Sequence, residues 1–184
     1  RPLWDHPLPN VLKPYHGEHL VGTAATHSNI CVTPDGVYVR TGNRCLRLDV
    51  ATGKKLAEFE APALPDGKSA PWGYLACEGG ILFGSLSDTK HVVKHAYGKS
   101  DMSQLFSESV SFFALDALTG KQKWRHDAKH SIRHNAIAIG GGHVYLIDRP
   151  VAEKDRPGGE KDQEHPRGEL LALEAATGKV AWRK

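Results

Sequence analysis

Residues 112–125 read FFALDALTGKQKWR. An apolar run ends in an acid, a Thr-Gly pair follows, and a Trp closes the stretch. The same order returns at residues 170–183 as LLALEAATGKVAWR, and at 45–59 as CLRLDVATGKKLAEF, where the Trp is missing. Each residue type has a physical task in a tight hairpin. Asp49, Asp116 and Glu174 end a strand with a side chain able to accept backbone N–H groups in the turn. Gly53, Gly120 and Gly178 supply the left-handed residue that the turn needs. Thr52, Thr119 and Thr177 hydrogen-bond locally and stiffen it. Trp124 and Trp182 fall on the strand after the turn, where a Trp covers the join to a neighbouring sheet and finds an N–H acceptor. Phe59 takes the equivalent region in the first copy.

A second pattern precedes each copy: a short strand, a Gly-containing turn and another strand. It reads NICVTPDGVYVRTG at 29–42, YLACEGGILFGSL at 74–86 and AIAIGGGHVYLID at 136–148. Asp35-Gly36, Gly79-Gly80 and Gly141-Gly142 are the sharp turns. Period-2 alternation is clear in Val37-Tyr38-Val39 and Leu46-Arg47-Leu48, and helix-period spacing is almost absent. Each unit therefore reads as four strands, A to D, in an up-and-down meander. In the last unit they cover 136–139, 144–147, 170–173 and 180–183. A four-stranded unit repeated at tens of residues is the signature of a β-propeller blade. The fold class is all-β, with blades of four antiparallel strands and about three blades present, a partial propeller. The blades are expected at 26–62, 63–128 and 129–184. Residues 1–25, which include Pro2, Pro7, Pro9 and Pro14, read as an extended connector or the edge of a preceding blade.

The 184 residues suffice for a real core, and 40% hydrophobic with 24% charged residues is ordinary for a globular domain. No apolar run approaches the roughly 20 residues that cross a bilayer as a helix. The net charge is +3, but Lys and Arg are scattered rather than blocked, so no nucleic-acid surface is indicated. Cys31, Cys45 and Cys77 form no CxxC pair and sit in strand-like surroundings, as buried thiols do. One disulfide among them stays open. His91 with His95, and His130 with His134, are four apart, but neither pair lies in a helical pattern and no HExxH motif occurs, so no metal site is assigned. The chain starts RPLWDHPLPN without a signal-peptide pattern and reads as the interior of a longer protein or a trimmed segment.

The order A-L-D-A-x-T-G-K-x-x-W resembles the tryptophan-docking repeat of the quinoprotein-type β-propellers, those related to pyrroloquinoline quinone (PQQ) enzymes. Residues 114–124 match it almost completely, 172–182 match with Glu174 in place of Asp, and 48–59 match without the Trp. The resemblance extends over nearly the whole chain after about Thr26. It implies radial blades and assigns the motif residues to blade cohesion rather than catalysis. The family includes quinone-dependent alcohol and glucose dehydrogenases and catalytically silent relatives, such as the scaffold lipoprotein of the outer-membrane assembly machine. By resemblance alone, the expected compartment is periplasmic or extracytoplasmic. Closed propellers have four to eight blades, so the remaining blades or a protein partner are expected to complete this one.

Long loops gather on one face of such a scaffold, the usual place for binding. The connection at 87–109 mixes aromatic and polar residues. The connection at 149–168 is charged, rich in Pro and Gly, and expected to be mobile. On the same face, at the entrances to A strands and the exits of B strands, stand His27, Asn29, Trp72, Asp88, Arg133, His134, Asn135, Asp148 and Arg149. These are the candidate rim residues for a small polar ligand, and each also has a plain reading as a strand-end cap. No catalytic residue is assigned. The function expected is a non-catalytic scaffold or binding module in a larger protein. The alternative is part of a PQQ-dependent dehydrogenase oxidising an alcohol or sugar. That enzyme would call for PQQ with calcium, an Asp base for which Asp148 is the candidate, and a stacking platform for which Trp72 is the candidate.

Overall fold

The computed structural model describes residues 2–7, 30–88, 96–97, 100–101, 108–151 and 167–184. The described secondary structure is β throughout. Strands β1 (Ile30–Thr33), β2 (Gly36–Thr41), β3 (Arg44–Leu48) and β4 (Lys55–Glu60) form an antiparallel sheet in the order β1-β2-β3-β4. Next come β5 (Trp72–Glu78) and β6 (Ile81–Ser87), and then the two-residue strands β7 (Ala96–Tyr97) and β8 (Ser100–Asp101), which pair with each other. The rest are β9 (Glu108–Asp116), β10 (Gln122–Gly140), β11 (His143–Asp148), β12 (Glu169–Glu174) and β13 (Val180–Arg183). The second large sheet has the order β13-β12-β11-β10-β9-β6-β5.

That sheet is two meanders sharing one strand. The sequence predicts separate strands around residue 130, one closing the second unit and one opening the third. Instead β10 runs without interruption over 19 residues. Residues 122–127 of β10 ladder with β9 and residues 137–140 ladder with β11, with register breaks on both sides of the middle. The physical reason is a carboxylate. Asp148 accepts the backbone N–H groups of Lys129, His130 and Ser131 at 2.6, 2.9 and 3.0 Å. The stretch that changes partner thus keeps its donors satisfied without a turn.

Three turns repeat one geometry. The Asp49 carboxylate accepts N–H bonds from Ala51 and Thr52 and the Thr52 hydroxyl. Asp116 does the same with Leu118 and Thr119. Glu174 reaches only the Thr177 hydroxyl, at 2.6 Å, because its extra methylene carries the carboxylate past the backbone donors. Gly53, Gly120 and Gly178 have φ of 67°, 71° and 71°, in the region where only glycine is unstrained.

The units pack face to face through two clusters. Tyr38, Cys45 and Phe59 of the first meet Trp72, Leu75, Leu82, Phe113 and Leu115 of the second. Phe83, Phe112, Ala114 and Trp124 of the second meet Val144, Leu146, Leu171 and Leu173 of the third. Each join is sealed by an aromatic laid on the next unit's glycine turn. A Cβ at Gly120 would stand 2.3 Å from the Phe59 ring, and one at Gly178 would stand 2.6 Å from the Trp124 ring. Trp4, in the segment read as a connector or the edge of a preceding blade, makes the same contact with Gly53, and its Nε1–H donates to the Val50 carbonyl at 2.9 Å.

All three cysteines are free. Burial, with the neighbouring Cys77 as a second cause, pushes the Cys31 thiol up to about 12. Burial likewise pushes Cys77 up to about 11. Such thiols carry little thiolate at neutral pH and are packing groups.

Candidate functional site

The site is built at the strand ends where β5 begins, β6 and β11 finish, and β9 begins. Backbone bonds draw these ends together. Ser87 N–H donates to the Pro71 carbonyl, Asp88 N–H to that of Glu108, and Arg149 N–H to that of Ser131. Of the residues expected at a rim, Trp72, Asp88, Arg133, His134, Asp148 and Arg149 are therefore brought to one end of the larger sheet. Asn135 lies within β10. His27 and Asn29 fall outside the described residues.

Their roles are more internal than a rim implies. Trp72 is fully buried and meets Phe113 edge-on, with ring centroids 5.0 Å apart at 70°. Space for it comes from Gly84, where a Cβ would stand 2.4 Å from the indole nitrogen. Trp72 N–H donates to the Gly42 carbonyl, and its own carbonyl accepts from the Arg40 guanidinium. Burial lowers the Arg40 pKa to about 10. The carboxylate of Asp148 is occupied by the three N–H groups of the β10 bend.

Four residues that the sequence reading passed over form the centre. Glu108 has no exposed surface. One of its oxygens accepts from Arg133 Nε at 2.9 Å, with an Arg149 nitrogen at 3.8 Å, and the other accepts from the Ser131 hydroxyl at 2.9 Å. Two guanidinium groups thus flank one buried carboxylate, the compensation a buried charge requires. Beside it, Ser109 Oγ lies 2.5 Å from His134 Nε2 and donates to Ser85 Oγ, which in turn accepts the Tyr74 N–H. Gly73 makes room for this chain, since a Cβ there would fall within 2.7 Å of Ser85 Oγ and the His134 ring. The only sequence signal was alternation: serines at 107, 109 and 111 lead into an apolar strand, a pattern usually read as a solvent face.

Chemically, the arrangement holds strand ends. It neutralises a buried acid and satisfies buried hydroxyl and imidazole groups. Among the described residues, no three His, Cys, Asp or Glu side chains are grouped to hold a metal ion.

The sequence profile of a family described as outer membrane protein assembly factor BamB matches residues 16–184. The chain belongs to this PQQ-like propeller family. No curated protein matches it. Among solved structures, a quinohemoprotein alcohol dehydrogenase from Comamonas testosteroni is similar with a TM-score of 0.56 and 16% identity, over 86% of this chain and 27% of that one. A europium-containing methanol dehydrogenase is similar with a TM-score of 0.51 and 12% identity, over 86% and 32%. The computationally designed Ika4 protein gives 0.52 and 13%, over 86% and 71%. At these identities the likeness is one of fold. The chain spans about a third or less of the two dehydrogenases.

The dehydrogenase relatives raise the question of a quinone with calcium. The two candidates for its site, Trp72 and Asp148, do not fit one. The Trp72 ring is enclosed by the core, and the Asp148 oxygens are taken by backbone donors.

Proposed function

We propose that the chain is a non-catalytic module of a PQQ-like β-propeller, acting as a scaffold or binding surface outside the cytoplasm, with blades at 26–62, 63–128 and 129–184. The observation that carries this reading is the employment of the polar cluster. Glu108, Asp148, Ser109 and His134 each hold strand ends, while apolar side chains are left at the surface of the third unit. Leu170, Val180 and Trp182 are 38%, 37% and 40% exposed. Trp182 pairs with Ala172 in the register in which Trp124 pairs with Ala114, so it stands where the second unit carries the aromatic that seals a join. Exposed apolar area of this kind marks a surface for another protein element, either further blades or a partner. The family description and the absence of a membrane-crossing helix among the described residues accord with such a module.

The test is a titration with PQQ and calcium, followed by quinone absorbance and Trp fluorescence. The scaffold reading expects no saturable binding. Saturable binding that is lost in Asp148→Asn would overturn it in favour of a dehydrogenase part.

A further inference from the structure

Cysteines from three different strands converge on the join between the first and second units. Cys31 stands on β1, Cys45 on β3 and Cys77 on β5. Cys45 belongs to the buried cluster of that join, and Cys31 and Cys77 pack against it.

The strands decide which two can meet. β1 packs directly on β5 across the join. Ile30 and Val32 of β1 are 54% and 63% exposed, so Cys31, between them, is on the face turned towards the second unit. On β5, Cys77 shares a face with Leu75, a member of the cluster that meets the first unit. The two thiols therefore face one another's strand from opposite sides of one join. Their nearness also shows in Cys31, whose thiol is raised first by burial and then by the charge of Cys77. Cys45 is placed differently. Cys31 is in register with Tyr38, and Tyr38 with Arg47, which is two residues along β3 from Cys45. Two strand spacings of roughly 4.8 Å separate β1 from β3, more than the roughly 7 Å between Cα atoms that a disulfide spans.

We infer that Cys31 and Cys77 are a disulfide site that ties β1 of the first unit to β5 of the second, with Cys45 left as a thiol. This inference rests on the reading that places the chain outside the cytoplasm, where disulfides form and persist. The oxidant is a small disulfide of the oxidised-glutathione class. The thiolate of one cysteine attacks it and releases one glutathione thiolate, leaving a mixed disulfide on the protein. The thiolate of the other cysteine attacks the protein sulfur of that mixed disulfide and releases the second glutathione thiolate. Two protein thiols thus give up two protons and two electrons, and the small disulfide takes up both electrons. Burial holds both thiols above their ordinary value, so they carry little thiolate once the join is closed. The exchange accordingly belongs to folding, before the join buries the pair, and the finished bond is shielded from reductant in the same way. The bond closes a long stretch of chain between positions 31 and 77, so it removes freedom from the unfolded state.

The experiment refolds the whole chain from urea and reductant into a glutathione redox buffer, alkylates the remaining thiols and maps linked peptides by mass spectrometry. The same map is made on chain that was never unfolded, after long incubation in that buffer, where slower formation of the same bond is expected. The wild type, with three free cysteines when reduced, is expected to keep Cys45 as its thiol and to yield a linked pair containing Cys31 and Cys77. Cys45→Ala is expected to form the same bond, and Cys77→Ala to keep both of its thiols. Thermal unfolding of the oxidised wild type should lie roughly 5–10 °C above that of the reduced protein, a gap absent in Cys77→Ala. All thiols retained by the wild type in both preparations, a linkage containing Cys45, or a Tm unmoved by oxidation would each overturn the inference. The quinone titration is read separately. A disulfide-bonded chain that binds quinone sinks the scaffold reading alone, and a chain that forms no disulfide and binds no quinone sinks this inference alone.

Discussion

The join between the second and third units and the join between the first and second solve one problem with different residues. In the former, Trp124 covers Gly178 and its Nε1–H donates to the Ala175 carbonyl at 2.9 Å. In the latter, Phe59 covers Gly120 but has no donor. The corresponding carbonyl, that of Ala117 just after the turn acid, accepts instead from the Tyr38 hydroxyl at 3.0 Å. Trp4 repeats the Trp solution with Val50. A docked aromatic therefore has two separable duties. Its ring hides area, roughly 150–250 Å² for a large aromatic, and a donor satisfies one carbonyl that the join would otherwise bury unpaired. When one residue cannot do both, a neighbour on the same face takes the second duty.

The comparison is broken most severely by Trp124→Ala. It removes both duties at once and is expected to cost about 3–5 kcal/mol in urea unfolding, more than Phe59→Ala, which leaves the Tyr38 bond in place. A Phe59→Ala cost equal to or above that of Trp124→Ala would deny the division of labour. Next in size is Tyr38→Phe. The ring stays and the Ala117 carbonyl loses its partner, for an expected loss of about 1–3 kcal/mol. No change on this substitution would mean that water serves the carbonyl as well.

A smaller effect sharpens the contrast between the turns. Glu174→Asp should let the shorter carboxylate reach the backbone donors that Asp49 and Asp116 already hold, raising stability by about 0.5–1.5 kcal/mol. A destabilised variant would contradict this. The smallest effect is in acid. Backbone and hydroxyl bonds from Thr119 hold the Asp116 carboxyl below its ordinary value, and bonds from Thr52 do the same for Asp49. A depressed carboxyl contributes stability that is fully present above its unfolded pKa and is lost as pH falls through the folded one. Stability measured from pH 5 downward should thus fall less steeply in Asp116→Asn than in the wild type, and equal slopes would remove the turn bonds from the account.

The parts of the molecule legible in the sequence are those written in linear order. The acid, threonine, glycine and aromatic are close neighbours in the chain, so local chemistry fixes the hairpin and the period-2 pattern fixes its faces. Contacts across long separations were not legible. The continuity of β10 depends on Asp148, a side chain well downstream of the bend it satisfies. Glu108 and its serines looked like the edge of a loop because a buried ion pair and a solvent-facing polar strand share one composition. Trp72 looked like a rim platform, and only the packing shows that Gly84 opens the interior around it. Trp4 lay among prolines in a segment read as a connector or the edge of a preceding blade, and its indole sits on Gly53 as Trp124 sits on Gly178.

The central claim is that a ring from one unit rests directly on the glycine turn of the next. A double-mutant cycle between Trp124→Ala and Gly178→Ala tests it most directly. In the wild type, a Cβ at position 178 meets both an unfavourable φ of 71° and the Trp124 ring. With Trp124 truncated, only the backbone strain remains. The account predicts that the Gly178→Ala penalty shrinks by about 1 kcal/mol or more in the Trp124→Ala background, a coupling expected of residues in contact. Penalties that simply add, within about 0.5 kcal/mol, would show that the ring and the turn do not meet.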